Sequence, residues 1–218
     1  MGKVVSIGRT GAAALPTIEK QNVGRSNKPA APGRPLNSAM QSREYLTPEE
    51  VSKLAAATSA GRHGHRDSTL ILIAYRHGLR VSELVALRWG QVDLKAGLLH
   101  VSRLKNGTPS THPLGPELRA LKRLQREQTN SLAYVFTTER GGPMTASNVQ
   151  KMLGKAGERA GIGFKVHPHM LRHATGYKLA NDGHDTRSIQ HYLGHRNIQH
   201  TVRYTELAPT RFKDFWND

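Results

Sequence analysis

His167-Pro168-His169-Met170-Leu171-Arg172-His173 opens a stretch that runs on through Leu193-Gly194-His195 to Arg203-Tyr204-Thr205. Proline at a first helical position is preorganised for a helix, so the periodicity predicts one from Pro168 to about Ala180. His169 and Arg172 are three apart and share a face of it. Further helices are expected over Thr186 to Leu193 and Ile198 to Glu206, bringing a glycine-flanked histidine and then a tyrosine into the same region, and an end piece over Pro209 to Trp216. Guanidinium and imidazole groups of this kind clamp a phosphate, and a phenol beside them is a nucleophile in waiting.

Outward from this stretch, Gly78-Leu79-Arg80-Val81-Ser82-Glu83-Leu84 and Arg103-Leu104-Lys105-Asn106-Gly107 add one more arginine, an acid three residues on, and a lysine. Thr47-Pro48-Glu49-Glu50 has the capping-box pattern, so helix is expected from there to Ala57. A second helix is expected over Ser68 to His77, stopped by Gly78, and a third from Ser82. Between Val92 and Leu114 the pattern changes to short β-branched runs. His100-Val101 and Thr111 to Leu114 read as a hairpin joined through Asn106-Gly107. Helix returns from Pro116 to Thr129, an apolar run follows at Tyr134 to Phe136, and Thr145 or Ser147 starts a helix through Ala156. The expected fold is mainly α with a small antiparallel β-sheet, an α+β domain.

The chain has 218 residues, room for one substantial domain and a tail. Lys and Arg number 32 against 16 Asp and Glu, a formal charge of +16 that suits a polyanionic partner, either nucleic acid or an anionic membrane surface. No apolar run is long enough for a membrane span, and the N-terminal stretch lacks a signal peptide's hydrophobic region. A soluble, cytoplasmic, nucleoid-associated protein is expected, with no membrane partner. The absence of cysteine excludes disulfides, thiol redox chemistry and thiolate metal sites.

Residues 1–43 carry seven Lys or Arg against the single acid Glu19, with Pro29, Pro32 and Pro35 close together. Such a segment buries too little apolar surface to offset its ordering entropy, so residues 1–45 are expected to be a disordered basic arm. Residues 46–207 would form the domain proper, and 208–218 a short terminal segment with Phe212, Phe215 and Trp216.

The ordered series Arg80, Lys105, His169-x-x-Arg172, His195, Tyr204, with its Gly-Leu-Arg-Val-Ser-Glu-Leu, Leu-Arg-Trp, His-x-x-Arg-His, Leu-Gly-His and Tyr-Thr surroundings, resembles the catalytic domain of the tyrosine recombinases, the phage integrase family. The resemblance covers roughly residues 46–204. It is nearest in plan to the small single-domain members, such as those that invert fimbrial promoter segments, because most members place a separate helical domain ahead of this core.

The resemblance implies site-specific recombination, whether integration, excision or inversion, of double-stranded DNA through a 3′-phosphotyrosine intermediate, without metal, ATP or other cofactor. Tyr204 would be the nucleophile. Arg80 and Arg172 would hold the phosphate, Glu83 would orient Arg80 from behind, and His169 and His195 would complete the phosphate contacts. Lys105 would protonate the departing 5′ oxygen. It further implies a homo-oligomer, a tetramer on paired sites with the terminal segment passed between protomers, and an accessory DNA-bending protein as a candidate partner. Arg25, Lys28 and Arg34 of the arm, and Arg203, are candidates for contact with DNA.

Other readings of the same residues exist. A helix tyrosine is ordinarily a core residue with a hydrogen-bonded hydroxyl, and a lysine beside Asn-Gly is ordinarily a solvated turn. His167, His169 and His173, or His191 and His195, are spaced as zinc ligands, although no His-Glu-x-x-His pattern occurs. The helices expected on either side of His195 also read as a helix-turn-helix, so a non-catalytic DNA-binding protein is the rival class, and a type IB topoisomerase a close variant.

Overall fold

A computed structural model describes residues 43–103, 107–128 and 133–206. In chain order these form α1 (Pro48–Ser59), α2 (Gly64–His77), α3 (Val81–Val85), a 3₁₀ turn (Trp89–Gln91), β1 (Val92–Asp93), β2 (Leu98–Val101), β3 (Ser110–Pro113), α4 (Glu117–Glu127), α5 (Ala146–Arg159), α6 (Pro168–Asn181), α7 (Thr186–Leu193) and α8 (Gln199–Glu206). The fold is mainly helical with one three-stranded antiparallel sheet, as the sequence pattern leads one to expect.

Local chemistry explains the helix starts. Thr47 accepts from the Glu50 backbone N–H while the Glu50 carboxylate takes that of Thr47, and Thr145 and Asn148 do the same at α5. Asp185 accepts from the backbone N–H groups of Arg187 and Ser188 at the start of α7. α2 and α7 both end in a left-handed glycine, Gly78 and Gly194, a conformation that a side chain resists.

α2 packs against α1, α4 and α6, and its Leu70, Ile71 and Ile73 are fully buried with Leu54, Leu99, Leu121, Phe136 and Leu153 in the main core. A second, smaller apolar cluster joins α6, α7 and α8: Ala180, Ile189, Leu193 and Tyr204. The functional region lies where the C-terminal ends of α2 and α7 meet α6.

One local expectation needs correction. α2 begins at Gly64, four residues before Ser68, at a position where only glycine fits: a Cβ there would come within 2.0 Å of the Ser59 carbonyl oxygen. The expected hairpin is present, its strands joined through the segment that contains Asn106-Gly107. The β2–β3 register pairs Leu98 with Pro113 and Val101 with Ser110, so the connection spans residues 102–109. Its flanks are held by other elements, with Arg103 turned inward onto α3 and Gly107 against Arg103. Asn106 itself lies outside the described residues.

Candidate active site

Arg172 organises the site from beneath. On α6, only 3% exposed, its guanidinium donates through Nη1 to the Gly78 carbonyl and through Nη2 to the Leu193 carbonyl at 2.7 Å. Carbonyls at a helix C-terminus lack intrahelical donors, and one planar fork satisfies two of them. Arg172 therefore joins the ends of α2 and α7. Arg80 follows Gly78 by two residues and His195 directly follows Gly194, so both are brought to the same place.

Arg80 precedes α3 and is partly exposed. Glu83 accepts from its backbone N–H at 2.9 Å and from its guanidinium at 2.8 Å. Burial pushes the Glu83 carboxyl up, but the Arg80 backbone N–H and the charge of Arg103 outweigh it and hold the group below its ordinary value. Arg103 was not singled out by the sequence reading. Burial, and then the charges of Arg80 and Arg103, push the Arg172 guanidinium down to about 9, which leaves it protonated at neutral pH. Arg80 and Arg103 thus share one carboxylate, while Arg172 donates to backbone carbonyls and brings a further positive charge that Glu83 does not pair. Of these three arginines Arg80 lines a cleft of roughly 630 Å³, together with Arg187, Gly194, His195, Arg196 and His200, whereas Arg103 and Arg172 are buried outside its lining; the cationic lining suits an anion.

His195 shares a 2.8 Å hydrogen bond between Nδ1 and the buried Thr201 hydroxyl, which leaves Nε2 for the cleft. Burial, Arg172 and Arg80 hold its pKa at about 3, so it is neutral at pH 7. His169 sits exposed in the first turn of α6, its ring centroid 6.4 Å from that of His173.

Tyr204 is 1% exposed. Its hydroxyl shares a 2.8 Å hydrogen bond with Nδ1 of His173, its ring meets Tyr177 edge-on at 5.0 Å, and its face lies over Gly176, where a Cβ would come within 2.6 Å of the ring. The His195 ring is nearly parallel to it with centroids 6.3 Å apart. Burial raises the phenol's pKa, opposed by the charges of Arg172 and Arg203. Arg203, a candidate DNA contact, is ion-paired with Glu44. Arg25, Lys28, Arg34, Lys105 and the segment 208–218 lie outside the described residues. Sequence reasoning also missed His173 as the partner of the phenol; its place directly after Arg172, on the face that α8 meets, was the available signal. Among the described residues no three His, Asp or Glu side chains converge as metal ligands, and no helix is long and apolar enough to cross a membrane.

A helical domain in which clustered arginines and histidines border a cleft, with a tyrosine nearby, has the composition of a phosphoryl-transfer site. Residues 44–211 match the model of the phage integrase family, and the chain belongs to that family, the site-specific tyrosine recombinases. It is 45% identical over 183 residues to the type 1 fimbriae regulatory protein FimE of Escherichia coli K12, covering 81% of this chain and 92% of that protein. It is 34% identical to the tyrosine recombinase XerC of Xanthomonas campestris, covering 84% of this chain but 57% of XerC. Among solved structures, the XerA recombinase superposes with a TM-score of 0.68 at 27% identity over 78% of this chain and 63% of XerA. The XerH recombinase bound to its difH site, at 22% identity and a TM-score of 0.66, shares the fold.

Proposed function

We propose that the chain cuts and rejoins double-stranded DNA at paired specific sites, with Tyr204 as nucleophile. Tyr204 Oη attacks the scissile phosphorus, the bond from phosphorus to the 5′ oxygen breaks, and a 3′-phosphotyrosine and a 5′-hydroxyl result. Arg80 and Arg172 carry the charge that builds on the non-bridging oxygens, which a fixed guanidinium does without reorganisation. Glu83 orients Arg80, His195 and His169 donate to the phosphate and accept the phenolic proton as Oη bonds to phosphorus, and Lys105 protonates the 5′ oxygen. The observation that carries this reading is the surplus of guanidinium charge at the cleft, left for a phosphate to neutralise.

Attack requires Tyr204 to leave its slot, since its hydroxyl is engaged by His173. The stored position is therefore a resting state that DNA and neighbouring protomers release, in a tetramer on two sites. Inversion of a DNA segment is favoured among recombination outcomes by the nearly end-to-end match with the fimbrial regulatory proteins. The arm residues Arg25, Lys28 and Arg34 would follow the DNA backbone.

The test is a nicked duplex carrying a site selected from a randomised pool by binding. The wild type should trap a covalent adduct on it, and Tyr204→Phe should bind equally well and trap none. Absence of any wild-type adduct would favour the helix-turn-helix reading, in which α7 and α8 bind DNA without cutting it.

A further inference from the structure

Arg103 stands on the β2–β3 connection with its side chain fully buried, an unusual place for a cation unless it is paired, and both of its terminal nitrogens are engaged while Nε is not. Nη1 donates to Glu83 Oε2 at 3.0 Å, and Nη2 donates to the carbonyl of Tyr192, two residues before Gly194. Two glycines clear its path. A Cβ on Gly194 would come within 2.6 Å of Arg103 Nε, and one on Gly107 within 2.7 Å of Arg103 Cβ. The opposite oxygen of Glu83 holds the Arg80 guanidinium. One side chain thus spans the acid behind Arg80 and the end of α7 that carries His195.

We infer that Arg103 is a positioning residue for the scissile phosphate: by sharing the negative charge of Glu83 it keeps Arg80 from being neutralised, and by holding the Tyr192 carbonyl it sets the turn bearing His195. Without Arg103, Glu83 Oε2 keeps only the Arg80 backbone N–H and opens to the Arg80 guanidinium, and a bidentate pair between the two draws the guanidinium back from the cleft. The loss falls on charge stabilisation of the phosphate rather than on DNA affinity, which is spread over many surface cations. The inference rests on the recombinase reading.

The experiment compares adduct formation on the nicked duplex with a natural phosphate and with a methylphosphonate at the scissile position. The methylphosphonate lacks the charge that Arg80 would neutralise. Arg103→Met is expected to lose about a hundredfold on the phosphate, with the loss on the methylphosphonate at least about tenfold smaller. Arg103→Lys, which keeps a charge on Glu83 but lacks the fork, should recover part of the rate with the same selectivity. Melting and DNA affinity are measured alongside, and if the methionine variant does not fold, the lysine variant decides by the same comparison. Equal losses on both substrates, or no loss, would overturn the inference while leaving the recombinase reading intact. Failure of the wild type to form an adduct overturns the recombinase reading, and this inference with it.

Discussion

The Tyr204 hydroxyl and Nδ1 of His173 share a 2.8 Å hydrogen bond, and His173 directly follows Arg172 on α6. The phenol is therefore stored one residue along the helix from the guanidinium that would face the phosphate. A double-mutant cycle with His173→Leu and Tyr204→Phe should give a coupling of about 1 kcal/mol by denaturant unfolding. His173→Leu alone should be the most destabilising of the three variants, because it leaves a buried hydroxyl without a partner at about 1–3 kcal/mol. A coupling near zero would remove the bond from the account of the resting state.

Gly176 is the floor of the tyrosine slot, and the atom a Cβ would meet belongs to a rigid ring rather than to a flexible chain end. Gly176→Ala should lower stability by about 1–3 kcal/mol and expel the ring. Nitration of Tyr204, followed by peptide mass spectrometry, should rise several-fold relative to the wild type, and an unchanged rate would show that the ring had been accommodated in place.

Stability should fall steeply on mild acidification. Burial, followed by nearby positive or imidazole groups, holds His112 and His195 at about 3 and His173 at about 4, against an ordinary 6.5. The unfolded chain therefore takes up protons that the folded chain refuses. The stabilisation is complete above about 6.5 and is lost as pH falls toward the folded values. At one unit below 6.5 each histidine costs about 1.4 kcal/mol. Glu117, pushed up by burial but held down to about 2 by His77 and the Gly115 backbone N–H, adds the same sign of dependence below 4.5. Melting temperatures between pH 7.5 and 5.5 measure this, and His173→Asn should flatten the slope by about one third. A flat profile would contradict the burial of neutral imidazoles.

Arg203 is engaged by Glu44, an exposed pair worth little to stability. Glu44→Gln should leave melting within about 0.5 kcal/mol while freeing Arg203. If Arg203 contacts backbone phosphate, DNA affinity should rise and the slope of log affinity against log salt should steepen by about one. An unchanged slope would remove Arg203 from the DNA interface.

Much was legible without a structure because it rests on signals a few residues apart. The capping box at Thr47 and Glu50, Pro168 at the start of α6, and Gly78 and Gly194 at the ends of α2 and α7 are written in neighbouring side chains. α7 comes out with the bounds its periodicity gives. The start of α2 was not legible, because only the packed structure brings the Gly64 position against the Ser59 carbonyl, where a Cβ has no room.

By itself the sequence determined the helical class, the order of the candidate residues and the family. Only the tertiary structure decided which groups hold them. Arg172 meets the Gly78 carbonyl across 94 residues, and Arg103 meets that of Tyr192 across 89. Contacts of that span are set by how whole helices pack, and a buried guanidinium is distinguishable from a surface one only once the surrounding elements have closed over it. The storage of Tyr204 over Gly176 belongs to the same class, since a helix periodicity states which face is buried but not what it is buried against.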